Sequence, residues 1–581
     1  MTTPALDTLA LLRRSSVFGE LDDDALHSVA EHLDTATVMG GQTLFEIGDD
    51  AECLYLLRSG SIGIFRAPQA GGPSHLAGIL ASGDALGVTS LLLDQAHTTS
   101  ARALRDSELL RLSQADYARL IDRHPRAMLG SAQLALRRLL ARGGDEPRIL
   151  PRTFALLPFD ESVPARDTAE HLRHALLPFG NCLLIDAALG QDREPAWFAE
   201  RESEVRFVLY VDEGRDDPWR DLCRRQADAL LPLVQSDRQA APWPDLEQLN
   251  EHADLERPRH LLLLHPDGRI VTGAARHWCD ALDCTVQAHH VRGKQDLARI
   301  GRILARRATG VVLSGGGARG FAAIGIVRAM RECGIDIDRV GGTSMGAIIA
   351  AGIAMEWDDA AMREHFRSAF VDGKPLSDWT LPLVAISRGR RTSHLLMQHF
   401  GTDDIEDLAL PFFCVSADLT DGSTRTHRRG PLWQWLRAAS AVPGVLPPLF
   451  HDGHVLVDGG IINDLPIDVM YDHGVGTILA CDIRAEGVLD TQLESAWSPG
   501  ILQQWQQRER RPGIGSILIR SAMVNAETAA NQRRALATQV LAPPLEDIAL
   551  LDFEAFDRAE ELGYRYGMEV LGKIAEHGSG E

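Results

Sequence analysis

One serine lies in a motif that could expose its hydroxyl group as a nucleophile. Residues Gly342, Thr343, Ser344, Met345 and Gly346 fit the pattern GxSxG, which can mark a tight turn between a strand and a helix. A strand is predicted before the motif, and a strongly apolar helix is predicted after it. A serine hydroxyl is a poor nucleophile unless a base takes its proton. Ser344 therefore needs a partner, and a glycine-rich packing turn is the alternative.

A glycine-rich loop lies at the end of the preceding predicted strand, before a helix whose apolar residues recur every three positions. It consists of Gly315, Gly316, Gly317, Ala318, Arg319 and Gly320. Unpaired N–H groups at a helix N-terminus attract anionic oxygen. A P-loop is excluded, because Phe321 stands where that motif requires lysine. A dinucleotide fingerprint lacks its acidic residue at the end of the next strand. An oxyanion hole also fits, and the loop alone does not decide.

The base for Ser344 is sought first among the histidines, which usually serve serine with the help of an acid. The histidines beyond the serine are His365, His394, His399, His427, His451, His454, His473 and His577. None stands in a recognisable turn after a strand with an acid placed to orient it. Asp458 is the better candidate, because it ends a predicted strand just before Gly459 and Gly460. A general base needs only hydrogen-bond reach to the hydroxyl, and a solvated turn aspartate is the alternative.

The composition excludes several classes of partner. The 581-residue chain has a formal net charge of −22, which argues against nucleic acid and against simple electrostatic attraction to anionic lipid. Any membrane contact must therefore come from an apolar patch. Eight scattered cysteines form no metal-binding pattern, and the adjacent His289 and His290 lack further ligands. We predict no metal and no cofactor. With no apparent signal peptide or membrane span, a cytoplasmic or membrane-peripheral protein is expected.

The sequence pattern divides the chain into four predicted domains. Residues 15–142 carry short β-like stretches separated by glycine turns, which indicates a small antiparallel barrel with flanking helices. Residues 150–300 alternate buried strands with helices and predict an α/β middle domain. The same alternation continues through 309–480, where the motifs lie, and 481–581 are predicted as a helical C-terminal extension. Two glycine turns at the carboxyl ends of parallel strands would place the loop beside Ser344.

The motifs GGGARG, GTSMG and DGG, in this order, resemble those of the patatin-like phospholipases, and the chain is most similar to their neuropathy target esterase branch. The likeness extends through LPFFCVSADLTDG, LRAASAVPGVLPPLF and DGGIINDLPIDVM. It implies a mostly parallel α/β catalytic domain with nucleophile Ser344, base Asp458 and an oxyanion hole in the 315–320 loop. It also implies hydrolysis of phospholipids or lysophospholipids through an acyl-enzyme and without a metal. Peripheral contact of the protein with the inner membrane face is compatible with this activity.

The N-terminal segment resembles a cyclic-nucleotide-binding domain, the regulatory module of this branch. Such domains hold the ribose 2′-hydroxyl with a glutamate and the cyclic phosphate with an arginine. In the stretch GDALGVTSLLLDQAHTTSARA, Val88 stands at the glutamate position and His97 at the arginine position. Both ligand contacts are thereby lost. We expect a structural or differently liganded module that does not bind cyclic nucleotides.

Two alternative functions belong to other classes. The protein could be a soluble carboxylesterase acting on small esters, which the motifs do not exclude. It could also be a ligand-sensing regulator with a vestigial hydrolase domain, although the intact Ser344, Asp458 and glycine loop argue against this. The preference of the purified protein for acyl-chain length would distinguish an esterase of small substrates from a lipase.

Overall fold

The computed structural model describes most of the chain, namely residues 3–66, 75–140, 151–215, 218–244, 246, 257–283, 285–381, 384–483 and 531–578. The chain forms two compact units. The first comprises residues 1–264 and 279–287, and the second comprises 265–278 and 288–581.

The first unit begins with an antiparallel sheet. Its strands are β1 (Asp34–Val38), β2 (Thr43–Phe45), β3 (Cys53–Arg66), β4 (His75–Leu80), β5 (Ala85–Leu86) and β6 (Ser100–Ser113). The long strands β3 and β6 pair with each other, β1 and β2 pair with β6, and β4 and β5 pair with β3. Glycines at the turns supply the positive φ angles that short connections need. The antiparallel fold expected for the N-terminal segment is therefore present.

A parallel sheet follows in the same unit. Its strands are β7 (Thr153–Pro158), β8 (Cys182–Ile185), β9 (Phe207–Val211), β10 (Ala229–Gln235) and β11 (His260–Leu264). They lie in the order β11-β10-β7-β9-β8, and neighbouring strands run parallel. The apolar runs of β7 and β9 are buried at every residue, as expected for strands covered on both faces.

The helices of this part of the chain have 4 to 15 residues. They are α1 (Thr3–Arg14), α2 (Asp23–Ala30), α3 (Val88–Leu93), α4 (Gln114–Arg123), α5 (Arg126–Leu140), α6 (Ala165–Leu176), α7 (Ala187–Gly190), α8 (Pro195–Glu204) and α9 (Pro218–Gln226). Two further elements, α10 (Ala274–Ala281) and β12 (Gln287–Val291), have residues in both units.

The second unit contains a mixed sheet with a parallel centre. Its strands are β13 (Thr309–Leu313), β14 (Arg339–Thr343), β15 (Phe412–Asp418), β16 (Ser423–His427), β17 (Leu449–His451), β18 (His454–Asp458), β19 (Thr477–Cys481) and β20 (Gln539–Leu541). The order is β17-β18-β15-β14-β13-β19-β20, with β16 also paired to β15. Strands β15, β14, β13, β19 and β20 are parallel, whereas β16, β17 and β18 form antiparallel pairs.

Helices cover this sheet and bury its apolar residues. They are α11 (Lys294–Leu304), α12 (Phe321–Glu332), α13 (Met345–Ala354), α14 (Asp359–Phe366), α15 (Arg390–Phe400), α16 (Leu432–Ala439), α17 (Ile467–Asp472) and α18 (Phe556–Gly578). Helix α13 is buried at every position, which explains why its sequence is apolar all round. The segment predicted as a helical extension contributes both α18 and the edge strand β20 in its described part. No helix of the described residues is both long and apolar enough to cross a membrane.

Candidate active site

The turn between β14 and α13 holds Ser344 in a strained conformation. Ser344 has φ +53° and ψ −128°, a backbone region that costs a non-glycine residue about 1–3 kcal/mol. Its N–H group donates to the carbonyl of Ala439 at 3.1 Å. A Cβ atom on Gly346 would lie 2.4 Å from the carbonyl oxygens of Leu313 and Ser314, so only glycine lets the helix start this close to β13. The GxSxG motif therefore forms the predicted tight turn.

Asp458 lies at the end of β18 and contacts the serine directly. The Ser344 hydroxyl donates a hydrogen bond of 2.6 Å to Asp458 Oδ2. The other carboxylate oxygen, Oδ1, accepts the N–H of Gly460 at 2.9 Å, and the backbone N–H of Asp458 donates to the carbonyl of Ala441 at 3.0 Å. The side chain of Asp458 is buried, since the residue is only 6% exposed. The structure thus brings together the serine and the aspartate that the sequence singled out.

Burial determines the proton affinity of this aspartate. Desolvation raises the pKa of Asp458 from 3.8 to about 6, although the hydrogen bonds from Ser344 and Gly460 act in the opposite direction. Water is a better solvent than the protein interior for a carboxylate, so a buried carboxyl group holds its proton more tightly. At neutral pH the group remains ionised and is a stronger base than an exposed aspartate.

The glycine-rich loop follows β13, the strand next to β14. Leu313 and Gly342 pair in the register of these parallel strands, so the loop and the serine turn lie at the same edge of the sheet. A Cβ atom on Gly315 would lie 3.1 Å from the Cβ of Ser344. The loop is therefore adjacent to the serine.

The N–H groups of the loop divide into engaged and free donors. Gly315 donates to Asp464, and Ala318 donates to the carbonyl of Leu550 at 2.8 Å. Within the described residues, the N–H groups of Gly316 and Gly317 have no hydrogen-bond partner. Two donors of the six-residue loop are thus available to an anionic oxygen, as an oxyanion hole requires.

Arg319 and Gly320 in this loop have supporting contacts. The Arg319 backbone N–H donates to Gly316 at 3.2 Å, and its guanidinium Nε donates to the carbonyl of Ile548 at 2.6 Å. A Cβ atom on Gly320 would lie 2.4 Å from the side chain of Met345. These two residues therefore fix the loop against its surroundings.

Sequence reasoning missed the groups that hold the site together. Asp464 Oδ1 accepts the N–H of Gly315 at 3.2 Å, and the hydroxyl of Thr343 donates to the carbonyl of Asn463 at 2.9 Å. The Asn463 amide donates in turn to Asp468 at 2.9 Å. Asn463 and Asp464 belong to the stretch DGGIINDLP, so two buried polar residues just after DGG were the available signal.

No histidine contacts Ser344 or Asp458 within the described residues. His365 bonds to His399, His451 lies beside Asp452, and His454 pairs with Asp418. His394 is exposed, and the side chain of His577 lies outside the described residues.

His427 is buried and His473 is half-buried, and neither has a carboxylate partner among the described residues. His427 shares a 2.8 Å hydrogen bond with the hydroxyl of Ser416 and stacks on Trp435. Desolvation lowers the pKa of His427 to about 4. Desolvation, with arginines such as Arg339 nearby, also lowers the pKa of His473. Both side chains are accounted for by packing and hydrogen bonding.

One histidine-containing cluster of the described residues has the composition of a metal site. Asp418, Asp421 and His454 offer ligand atoms that lie within 4.8 Å of one another. Arg425 already pairs with Asp418 at 2.9 Å and with Asp421 at 3.0 Å, so a cation of the protein itself neutralises the carboxylates. We assign no metal to this cluster.

The adjacent His289 and His290 are not arranged as a metal pair. His290 shares a 2.8 Å hydrogen bond with His265, and its other ring nitrogen bonds to the carbonyl of Glu406 at 2.9 Å. Both ring nitrogens of His290 are therefore used by the protein. Hydrogen bonding accounts for this buried histidine without a metal ion.

The two residues of the altered nucleotide pocket lie in packed surroundings. Val88 is fully buried in the hydrophobic core at the start of α3. His97 is also buried, and its ring stacks on Phe45 with centroids 3.7 Å apart. The backbone N–H of His97 donates to the carbonyl of Asp49 at 2.8 Å, and burial lowers the pKa of the ring. Neither residue offers the carboxylate or guanidinium that a cyclic nucleotide would need.

Comparison with protein families yields three matches along the chain. Residues 311–471 match the patatin-like phospholipase model, and residues 36–124 match the cyclic nucleotide-binding domain. Residues 151–310 match the neuropathy target esterase family P-loop like domain. Together the matches cover both sheets of the first unit and most of the mixed sheet of the second.

Individual relatives extend these matches over most of the chain. An uncharacterised NTE family protein of Mycobacterium bovis is 30% identical, with 96% of this chain and 95% of the relative covered. Human patatin-like phospholipase domain-containing protein 6 is 29% identical over 93% of this chain. Mouse patatin-like phospholipase domain-containing protein 7 is 31% identical over 93% of this chain. The chain spans 44% of the human protein and 45% of the mouse protein.

The raised pKa of Asp458 predicts that its carboxylate reduces stability at neutral pH. The shift from 3.8 to about 6 means that the folded state binds more protons between these values, so stability falls as the pH rises through them. Above pH 6 the cost is complete and amounts to about 3 kcal/mol. We expect Asp458→Asn to raise the free energy of unfolding by up to about that amount at pH 8, with no difference below pH 4. Denaturant titration at both pH values measures it.

The control for this experiment is Asp452→Asn, since the Asp452 side chain is 84% exposed and should leave stability unchanged. A lower free energy of unfolding for Asp458→Asn at pH 8 would contradict the predicted cost.

Proposed function

Because the chain belongs to the neuropathy target esterase family, we propose that it is a serine esterase that hydrolyses acyl ester bonds of phospholipids or lysophospholipids. The observation that carries the proposal is the 2.6 Å hydrogen bond from the Ser344 hydroxyl to the buried carboxylate of Asp458. The strained turn presents the hydroxyl, and a general base within hydrogen-bond reach can take its proton. We assign Ser344 as nucleophile and Asp458 as base.

The reaction begins when Ser344 Oγ attacks the ester carbonyl carbon and its proton passes to Asp458 Oδ2. The carbonyl oxygen becomes an oxyanion, to which the N–H groups of Gly316 and Gly317 donate. When the tetrahedral intermediate collapses, the bond to the alcohol breaks and protonated Asp458 gives the proton to the departing oxygen. An acyl-serine ester remains.

Water completes the cycle by the same steps. Asp458, again a carboxylate, takes a proton from a water molecule that attacks the acyl-serine. The second tetrahedral intermediate then releases the fatty acid, and the proton returns to Ser344 Oγ. The glycine loop supplies the electrophilic stabilisation, so each step uses only groups of this chain and water.

The substrate class rests on the family and on the names of its relatives. The matched model describes patatin-like phospholipases, and two relatives are named as proteins containing this domain. We infer that the substrate is a phospholipid or lysophospholipid and that the enzyme acts at the inner face of a membrane. A preference for short, water-soluble esters would instead indicate a carboxylesterase of small substrates.

We infer that the N-terminal module does not respond to cyclic nucleotides. Its antiparallel strands would enclose the ligand pocket of the expected barrel, but Val88 and the stacked His97 occupy the positions of the two ligand-binding residues. The module therefore has a structural role or recognises another ligand. The intact pair of Ser344 and Asp458 argues against a purely regulatory protein with a vestigial hydrolase.

Removal of the proposed nucleophile should abolish hydrolysis. We expect Ser344→Ala to eliminate ester cleavage and labelling by a fluorophosphonate, with an unchanged circular dichroism spectrum. Asp458→Asn should lower kcat by about 10²–10⁴-fold, the usual contribution of a general base. Rates on a lysophospholipid and on a soluble ester measure both effects.

Two histidine variants serve as controls for the assignment of Asp458. His451→Ala and His454→Ala should retain most of the rate, because these side chains contact Asp452 and Asp418, not Ser344. A collapse of the rate in either folded variant would replace the pair by a triad. Fluorophosphonate labelling that survives Ser344→Ala would place the nucleophile elsewhere.

The pH dependence of kcat/KM for ester hydrolysis should report the pKa of the base, Asp458. Asp458 acts only as a carboxylate, and burial raises its pKa to about 6. For a neutral soluble ester, kcat/KM should be constant above about pH 7 and fall tenfold per unit well below pH 6. A profile that stays flat down to the ordinary aspartate pKa would contradict this assignment.

The unmodified protein should bind neither cyclic AMP nor cyclic GMP at micromolar concentration at pH 8. Val88 cannot accept a hydrogen bond from the ribose 2′-hydroxyl, and an unpaired polar group there loses roughly 1–3 kcal/mol. At pH 8 His97 is neutral and does not replace a guanidinium. Because burial lowers the pKa of the ring, only a fraction is protonated at pH 6, which would permit at most weak binding. Isothermal titration at both pH values measures this.

The double variant Val88→Glu and His97→Arg is the positive control, since it restores both side chains that would bind the ribose and the phosphate. If the restored protein binds and the unmodified protein does not, the two residues account for the loss. Tight binding by the unmodified protein at pH 8 would refute the inference.

A further inference from the structure

A hairpin in the second unit exposes an unusual group of large apolar residues. We use the name docking hairpin for residues 373–381 and 384–391. Trp379 is 66% exposed, Leu381 79% and Val384 65%. Scattered single apolar residues are normal on protein surfaces, but three on one short hairpin indicate an interaction surface.

The two arms of the hairpin are held together by backbone pairing. Trp379 and Ser387 form an antiparallel bridge, and the Thr380 N–H donates to the carbonyl of Ile386 at 2.9 Å. Asp378 accepts a hydrogen bond from the Ser387 hydroxyl and another from the Arg391 N–H. The exposure of the apolar side chains is thus a property of an ordered hairpin.

The hairpin is basic although the chain is strongly acidic. It contains four basic residues (Lys374, Arg388, Arg390 and Arg391) and one acidic residue, Asp378, so its formal charge is 4 − 1 = +3, against −22 for the whole chain. Asp378 is already engaged by groups of the hairpin itself. In the described part of the chain, the exposed side chains of Arg388 and Arg390 have no hydrogen-bond or ion-pair partner.

The hairpin is joined to the segment that supports the Ser344–Asp458 pair. Ile386 N–H donates to the carbonyl of Gly444 at 2.9 Å, and Ser387 N–H donates to that of Val445 at 3.1 Å. Three residues before Gly444, the carbonyl of Ala441 accepts the backbone N–H of Asp458. A surface bound by the hairpin would therefore lie close to the proposed catalytic pair.

The same segment continues to another exposed aromatic residue. Phe450 is 72% exposed and pairs with Val455 on β18, the strand that ends in Asp458. The guanidinium of the buried Arg437 donates to the carbonyl of Pro447 at 2.9 Å and lies beside Gly389 of the hairpin, where an added Cβ atom would stand 2.6 Å from it. These contacts join the hairpin to the segment 441–450 along its length.

Exposed tryptophan and aliphatic side chains next to unpaired arginines match the chemistry of an anionic membrane surface. Tryptophan favours the boundary between headgroups and acyl chains, and arginine can neutralise lipid phosphates beside it. An acidic protein partner would satisfy the arginines but would not require so much exposed aliphatic surface. A second copy of this chain would bring like charges together.

We propose that the docking hairpin binds the surface of an anionic phospholipid membrane and holds the Ser344–Asp458 site against it. This inference rests on the proposed function, since it assigns the surface through which that site reaches its lipid. The overall charge of −22 repels anionic lipid at long range, so binding depends on this local basic and apolar surface.

The experiment measures binding separately from hydrolysis. The full chain carrying Ser344→Ala is sedimented with phosphatidylcholine vesicles that contain or lack phosphatidylglycerol. We expect binding to vesicles with phosphatidylglycerol that weakens with salt. Adding Trp379→Ser and Leu381→Ser should weaken it at least tenfold. Adding Arg388→Glu and Arg390→Glu should weaken it by at least about 25-fold, because each lost basic residue contributes about fivefold and the two new carboxylates are repelled by the anionic membrane.

Matched control variants change similar side chains elsewhere in the same unit. Tyr471→Ser removes another exposed aromatic residue, and Arg558→Glu with Arg565→Glu reverses two exposed arginines of α18. Both controls should bind vesicles like the parent. Circular dichroism and thermal unfolding establish that each variant remains folded.

With Ser344 restored, the ratio of the rate on vesicle-bound lysophospholipid to the rate on a soluble ester should fall in the hairpin variants. Parent protein that binds vesicles but hydrolyses neither substrate would refute the proposed function and leave the docking surface standing. Equal binding to both vesicle types, or equal losses in the control variants, would overturn the docking proposal. So would a dimer in the absence of lipid that the Trp379→Ser and Leu381→Ser changes dissociate.

Discussion

The hydrogen bond between Ser344 Oγ and Asp458 Oδ2 joins residues 114 positions apart, and the second unit is organised around it. Strand β15 lies between the strands that carry the two residues, so the serine turn must project over it. The carbonyls of Ala439 and Ala441 accept the backbone N–H groups of Ser344 and Asp458, respectively. One short segment therefore fixes both partners, and a shift of that segment would move the hydroxyl relative to the carboxylate.

Local sequence singled out the two residues of the proposed catalytic pair because each lies in a motif with its own backbone requirement. A serine between glycines after a strand predicts a tight turn, and an aspartate before two glycines predicts a strand end; the structure has both features. The contacts between Gly315 and Asp464 and between Thr343 and Asn463 could not be predicted in the same way. They depend on the pairing order β18-β15-β14-β13, which local patterns of apolar residues do not specify.

The net charge of the chain does not predict the charge of the docking hairpin. A net charge of −22 led to the expectation that any membrane contact would be apolar only. The described residues of the docking hairpin instead combine exposed apolar side chains with unpartnered Arg388 and Arg390. Composition reports the long-range field of the whole chain, whereas a contact surface depends on the few residues that reach it within a Debye length. The local and the global sign can therefore differ.

Burial also supports the proposed role of an aspartate, without a histidine, as the base. Desolvation raises the pKa of Asp458 to about 6 but lowers that of the nearby buried His427 to about 4. In such an interior the carboxylate is the stronger base of the two. When a carboxylate takes the proton, its negative charge is replaced by that of the oxyanion, so the number of charges in the site does not change. Proton transfer to an imidazole instead creates a new positive charge beside the oxyanion, and an acid must then stabilise it. A serine that donates to an aspartate buried as deeply as Asp458 needs no third residue for that purpose.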